Sequence, residues 1–360
     1  MKTQEEKDNS LSEVNDDTWM LNLRFVLILL VVIATGIEPV MSRFGMLEDL
    51  HAWIFIFHIP LFAFVTGYFS RHNLLGRKGL ASLGSIAVHY VIFQTLYSTL
   101  DVLFFQASQQ KHSFFVPYLM LWFLVAHIGW RVLLRIMCAL NLKHPVLISA
   151  ALGVAAGYLG HDGSWLSLSR LFVFLPFFAA GYSLHTRKLL VLCSGPSRIG
   201  LGGLSIILLA AVSLLLAWHS TPDWLYGKFT YAEMGIEGPA AALTRIGWYL
   251  LQAAGSLTFL ALIPQQRSII TSLGSRTLYV FLLHGLFIRS GIRLGLYDNV
   301  RQPADLVVLA IAIVGITVIL ALPQTRQITK WLIEPDLGGF ARMGRQLAVR
   351  WHPRRVLKKL

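Results

Sequence analysis

The sequence predicts an all-α integral membrane protein, a bundle of about ten transmembrane helices. Three observations point there: composition, the length of the apolar runs and the sign of the loops between them. Hydrophobic residues fill 55% of the 360 positions and charged residues only 14%, against about 25% charged in an ordinary soluble domain. The mean hydropathy is +0.62. Apolar runs of about 18–24 residues, long enough to cross a ~30 Å hydrocarbon core, recur almost end to end. They leave no room for a separate globular domain.

Residues 1–20 are polar and acidic (Glu5, Glu6, Asp8, Glu13, Asp16, Asp17). They lack the basic start and early apolar core of a cleavable signal peptide, so a disordered cytoplasmic tail is expected. The runs then begin near Leu21, Ala52, Leu80, Phe114, Pro145, Arg170, Ile199, Ala242, Leu273 and Ala304. Together residues 21–335 make up the membrane domain. Residues 336–360 are left as a basic cytoplasmic tail.

The net charge of +13 invites a nucleic-acid reading that its distribution opposes. With the N-terminus inside and ten crossings, the connections holding Arg71, Arg77 and Lys78, then Arg131, Arg135 and Lys143, all fall on the cytoplasmic face. So do Arg187, Lys188 and Arg198, Arg267 and Arg276, and the tail with Arg342, Arg345, Arg350, Arg354, Arg355, Lys358 and Lys359. Glu48, Asp49, Asp162, Asp223, Glu233, Glu237 and Asp298 map outside. This is the positive-inside pattern of a multi-pass plasma-membrane protein with both termini cytoplasmic. The bilayer is the first partner it implies, with the basic tail set against anionic lipid. A folded basic face with interleaved stacking residues, as nucleic acid requires, is not evident. Cys138 and Cys193 both map to cytoplasmic helix ends, which offers neither a disulfide framework nor a metal-ligand pattern.

Polar groups placed within spans are costly and therefore informative. They are Arg24, Glu38, His58, His89, Asp101, His127 and His284. Arg24 and Glu38 are fourteen residues apart on the first run, about 21 Å along a helix. Arg24 alone can snorkel to the inner interface. His284 sits near the bilayer midplane in the apolar stretch LYVFLLHGLF. Each histidine alone reads equally well as a helix-to-helix hydrogen-bonding group. Several at similar depth on different helices point to a buried polar site, with His89 and His127 the weaker members. The outer loop from His219 to Pro239 mixes Trp224, Tyr226, Phe229 and Tyr231 with Asp223, Glu233 and Glu237. Such a loop suits a sugar-like ligand, with Trp224, Tyr226, Tyr231 and Glu233 as its candidate contacts; an interfacial aromatic belt is the alternative.

Several separated motifs follow one another along the chain: LRFVLILLVV with Ile37–Pro39, FHIPLFAFVTGYFSR at Phe57–Arg71, and LWFL at Leu121–Leu124 with Trp130-Arg131. RLFVFLPFFAAGY at Arg170–Tyr182 and LGSRTLYVFLLHG at Leu273–Gly285 complete them. In this order and spacing, from about Asn22 to about Pro335, the chain resembles the acyltransferase 3 family of bacterial membrane O-acyltransferases, in particular its fucose 4-O-acetylase-like branch. The resemblance implies a ten-helix bundle that moves an acyl group, usually acetyl, from cytoplasmic acetyl-CoA to a hydroxyl of a cell-envelope glycan. Acetyl-CoA is thus a donor substrate, and no permanently bound cofactor or metal is implied. It also implies an Arg serving the acyl donor, matched by Arg24, and a catalytic His eleven positions later. That position is Thr35, and no histidine precedes His51. Threonine cannot serve as a general base near neutral pH, whereas imidazole can.

The remaining candidates for the base are His58 and His284, with Glu38 to orient one of them and Thr35 expected to line the same cavity. Three function readings follow. The first is an O-acetyltransferase acting on envelope carbohydrate. The second is a degenerate member serving as an interaction or assembly subunit, and the third a glycan or lipid transporter. The third would favour discontinuous helices in two repeated halves, and no internal repeat is evident.

Overall fold

A computed structural model describes residues 4–74, 76–105, 113–159, 165–218 and 223–334. All regular structure within them is helical. The first helix, α1, spans Gln4–Ile37. Helical backbone therefore begins within the acidic segment, where a disordered tail was expected. Carboxylates in a first turn are favoured by the helix dipole, and the long apolar run behind them propagates the helix. Pro39 stops it, because the residue before a proline is pushed out of α geometry. A 3-10 turn at Glu38–Arg43 leads into α2, Gly45–Ser70.

Helix α3 covers Gly76–Leu100 and ends in a π turn at Asp101–Phe105. The fourth run does not begin as a helix at Phe114. Pro117 interrupts it, and Gln94 of α3 captures the segment instead. Its amide donates to the carbonyls of Ser113 (2.7 Å) and Val116 (3.1 Å) and accepts from the Tyr118 N–H (2.9 Å). The next helix, α4, is Trp122–Ala139. After it come α5 (Pro145–Ala156), α6 (Leu168–Ser183), α7 (Thr186–Leu192) and α8 (Gly195–Trp218). At 12 residues, α5 reaches about 18 Å, short of a full crossing. Then follow α9 (Asp223–Tyr226), α10 (Pro239–Leu260), α11 (Ile269–Gly274), α12 (Thr277–Arg293), α13 (Pro303–Leu320) and α14 (Pro323–Ile333).

The ninth run, expected as one helix from near Leu273, is broken between α11 and α12. Gly274 there lies so close to the Leu21 carbonyl that no Cβ fits. Asn22 of α1 holds the turn, donating to the carbonyls of Pro264 (2.8 Å) and Gln266 (3.0 Å) and accepting from the Thr271 hydroxyl (2.6 Å). The basic tail at 336–360 lies outside the described residues.

Among the described residues, six helical segments are long and apolar enough to cross a membrane. They are Asp17–Arg43, Gly45–Ser70, Lys78–Phe105, Leu119–Ala139, Trp165–Ser183 and Pro303–Leu320. The protein is thus a helical chain built for a membrane, with α2 at its centre. There α2 crosses α6 at reciprocal glycines. A Cβ on Gly67 would overlap the Phe178 carbonyl, and one on Gly181 the Phe64 carbonyl. Small residues let membrane helices approach to backbone contact, where dispersion forces hold them. At one end of α3, buried Asp101 forms an ion pair with Arg289 of α12 and accepts from the Tyr118 hydroxyl. Its in-membrane charge is thereby compensated within the fold.

Candidate functional site

Residues that line one cavity repeat at helical spacing on α1 and α2. On α2 they include His51, Phe55, His58, Phe62, Thr66, Phe69 and, beyond its end, Asn73; on α1 they include Arg24, Ile28, Val31 and Thr35, followed by Glu38 in the turn after it. Residues three and four apart share one face of a helix, so each helix turns a single stripe toward the other. Between the stripes lies a cavity of about 630 Å³, closed further by α3, α4, α6, α12 and Tyr226 of α9. It extends along α1 from Arg24 to Glu38, about 21 Å at 1.5 Å per residue.

His58 sits midway along α2 and is buried. Its Nδ1 lies 2.7 Å from the Ile54 carbonyl. A carbonyl only accepts, so Nδ1 carries the proton and Nε2 keeps its lone pair. That is the tautomer a general base needs. Phe55 joins His58 to the Glu38 end of the cavity. Its ring meets His58 edge-on at 4.4 Å, stacks on His51 at 4.4 Å and meets Tyr226 at 4.8 Å and 90°. The Tyr226 hydroxyl is 3.5 Å from His51 Nδ1. Burial, then the carboxylates of Glu38 and Asp223, push the Tyr226 phenol up to about 12, so it is a hydrogen-bond donor at neutral pH.

Thr35 lines the cavity as expected, and its hydroxyl also donates back to the Val31 carbonyl at 2.7 Å. It thus faces the cavity while its proton is already spent within its own helix.

At the other end Arg24 stands over the Phe69 ring at 5.7 Å, with no carboxylate within 4 Å among the described residues. Arg131, expected in a cytoplasmic connection, is instead buried within α4. It donates to Ser70 Oγ (3.3 Å) and to Asn73 Oδ1 (3.1 Å), all three residues lining the cavity. His89 and His127 line this cavity too. His89 Nε2 contacts the Ile333 carbonyl at the end of α14, and His127 Nε2 is buried with no partner among the described residues. Arg170, counted from the sequence only as the start of a span, stacks on Trp122 at 4.7 Å, and its Nε donates to the Tyr226 carbonyl at 3.3 Å.

No protein-family model, curated protein or solved structure matches this chain. The site is therefore read from its own geometry.

Several expected site residues fall elsewhere. His284 is fully buried in α12 but is not part of the cavity lining. Its Nδ1 meets the Val280 carbonyl at 2.9 Å, and Nε2 has no partner among the described residues. The lining residues of α12 are Thr277, Leu278 and Phe281; His284 continues the stripe of Thr277 and Phe281, one turn beyond the last residue that lines the cavity.

Of the outer-loop candidates, only Tyr226 reaches the cavity. Trp224 and Tyr231 pack together in a buried cluster with Ala241. The Trp224 ring is covered by the Arg245 guanidinium at 4.7 Å, and its carbonyl accepts from the same group at 3.0 Å. The Tyr231 hydroxyl donates to the Val154 carbonyl at 3.0 Å, while Glu233 accepts from the N–H (2.6 Å) and hydroxyl (2.9 Å) of Thr230. These three hold the loop that delivers Tyr226. Composition marked the loop correctly as special but could not say which aromatics fold inward on each other. His51 was missed, although its seven-residue spacing from His58 places both on one helix face.

Proposed function

We propose that this chain is a membrane-bound O-acyltransferase that moves an acyl group, most simply acetyl, from cytoplasmic acyl-CoA to a hydroxyl of a cell-envelope carbohydrate. The observation that carries the reading is the single cavity bearing Arg24 at one end, Glu38 and Tyr226 at the other and His58 between them. Donor and acceptor of such a reaction lie on opposite faces of the membrane, so the chemistry needs a polar passage with a base inside it. The resemblance to the acyltransferase 3 family points the same way through Arg24.

In this reading the Arg24 end faces the cytoplasm of a bacterial inner membrane, and both termini are cytoplasmic. Helices α8, α10 and α12 join the six long segments, and the short α5 completes about ten crossings only where the bilayer thins around it. Arg24, with Arg131 nearby in the same end of the cavity, meets the anionic donor. Guanidinium groups suit phosphate because their fork of N–H donors matches its oxygens. His58 Nε2 removes the acceptor's hydroxyl proton, and the oxygen attacks the thioester carbonyl. The tetrahedral intermediate expels CoA as thiolate, which recovers the proton from the imidazolium, so no net proton is gained or lost. His51 and Tyr226 hold the acceptor at the Glu38 end.

The second reading, a degenerate member that binds without turnover, is favoured by Thr35, whose hydroxyl is occupied by Val31. One experiment separates the two. Purified protein in lipid nanodiscs is given radiolabelled acetyl-CoA, and release of label to water or to an added polysaccharide acceptor is followed. Turnover lost on His58→Ala supports the enzyme. No turnover in the wild type, but turnover in Thr35→His, identifies a site that has lost only its base. No turnover in either leaves the enzyme reading without support.

A further inference from the structure

The charges of the cavity are unequally shared between its ends. Arg24, Arg131 and Arg170 line it against one carboxylate, Glu38. Among the described residues the ion pairs are Arg43 with Asp298, Arg289 with Asp101 and Arg326 with Glu334, so none of the three cavity arginines is neutralised within 4 Å. The excess lies at the Arg24 end, where an anionic donor accounts for it. At the Glu38 end Arg170 and Glu38 balance in number, yet they form no ion pair with each other.

Arg170 is built as a recognition group. One face of its guanidinium is laid on the Trp122 ring at 4.7 Å, and Nε is fixed by the Tyr226 carbonyl at 3.3 Å. A guanidinium has five N–H donors. The one hydrogen bond of Arg170 among the described residues leaves four, on a group whose rotation is already restrained from two sides. Arg71, half-buried at the end of α2, spends donors on the carbonyls of Gly181 and Tyr182. Arg170 instead contributes to the cavity wall beside Trp122, Tyr226 and Phe55. Aromatic rings with an adjacent, pre-oriented fork of donors suit a sugar ring that carries an acid, because charge-assisted bonds to a carboxylate or phosphate are directional and roughly twice as strong as neutral ones.

We propose that Arg170 makes the Glu38 end of the cavity selective for a hydroxyl acceptor bearing an acidic group, a saccharide with a carboxylate or a phosphate. The inference rests on the acyltransferase reading for the word acceptor, and on the cavity alone for the acid. Trp122 and Tyr226 position the guanidinium. The acid docks against its free donors and brings a neighbouring hydroxyl toward His58. Glu38 sits on the same stretch of wall and accepts from the remaining sugar hydroxyls, while it repels an acid bound in the wrong orientation.

The test uses full-length protein in nanodiscs and three probes of similar size: methyl α-D-galacturonide, α-D-galactose 1-phosphate and neutral methyl α-D-galactoside. Binding is read by tryptophan fluorescence, with acetyl-CoA binding measured separately on the same preparation. The expected result is that at least one acidic probe binds about tenfold or more tightly than the neutral one, consistent with one charge-assisted contact. Which acid binds tells a carboxylate-bearing acceptor from a phosphate-bearing one. Arg170→Gln should bring acidic and neutral probes to within about twofold, and Arg170→Lys should restore part of the preference by keeping charge without the fork. Equal wild-type affinities, no binding of any probe, or a preference that survives Arg170→Gln in a protein of unchanged thermal stability would each overturn the proposal. If Arg170→Gln does not fold, the wild-type comparison and Arg170→Lys still decide it. Failure of acetyl-CoA to bind, with the acid preference intact and dependent on Arg170, would remove the acyltransferase reading and leave the acid-binding site standing.

Discussion

Helices α2 and α13 are both long enough to cross a bilayer, yet they are opposites in the folded protein. The most apolar window of α13 has a mean hydropathy of 2.5 and is 17% buried; that of α2 has 1.7 and is 72% buried. The more hydrophobic helix is the more exposed one. In water this would be inverted, but lipid offers apolar side chains nothing to escape from, and the interior position goes to the helix that needs protein around its polar groups. Helix α2 carries His51, His58, Thr66 and Ser70 on its cavity stripe. The middle of α13 is almost wholly aliphatic, with Thr317 donating to the Ile313 carbonyl of its own helix.

The comparison can be broken first at the glycines. Replacing Gly67 by leucine should abolish the folded protein, because the Phe178 carbonyl already occupies the space of a Cβ. Gly67→Ala should cost more than the ~1–3 kcal/mol of ordinary overpacking, since backbone rather than a side chain must move. Detergent-solubilised yield and thermal unfolding read both variants; a Gly67→Leu protein with wild-type stability would show that α2 and α6 are not in backbone contact.

A smaller effect is expected at the chemistry. His58→Ala should lower acetyl transfer by about 10²–10⁴-fold, the usual contribution of a positioned base, while protein stability changes little. Retained turnover in that variant, with loss in His284→Ala, would move the base to α12 and outside the cavity lining described above. Smaller again is Arg24→Ala, which should weaken acetyl-CoA binding by roughly 1.5–3 kcal/mol. Calorimetric titration of purified protein checks this, and unchanged affinity would detach Arg24 from the donor.

The smallest effect sharpens the contrast from the α13 side. Gly315 has open space where a Cβ would go, so Gly315→Ala should shift stability by no more than about 0.5 kcal/mol. A loss as large as that of Gly67→Ala would mean that α13 has a packed neighbour in the membrane, such as a second copy of the chain.

The amino-acid sequence by itself determined that this is a helical membrane protein and where most of its helices lie, which follows from hydropathy and span length. It also named Arg24, Thr35, Glu38 and His58 as candidates for one site, from the cost of polar groups in hydrocarbon and from a family resemblance. The tertiary structure alone decided which polar residues meet. His284 and His58 look alike in sequence, as histidines in apolar runs, and only where the cavity ends along α12 separates them. Trp224, Tyr226 and Tyr231 look alike too, and only the fold of their loop sends one into the cavity and two into each other. Arg131 reads as a loop cation until α4 is seen to carry it inward to Ser70 and Asn73. Helix placement and loop packing depend on contacts between residues far apart in the chain, such as Arg245 on Trp224 or Gly67 on the Phe178 carbonyl. Local sequence carries no information about those contacts, which is why the candidates were legible and their partners were not.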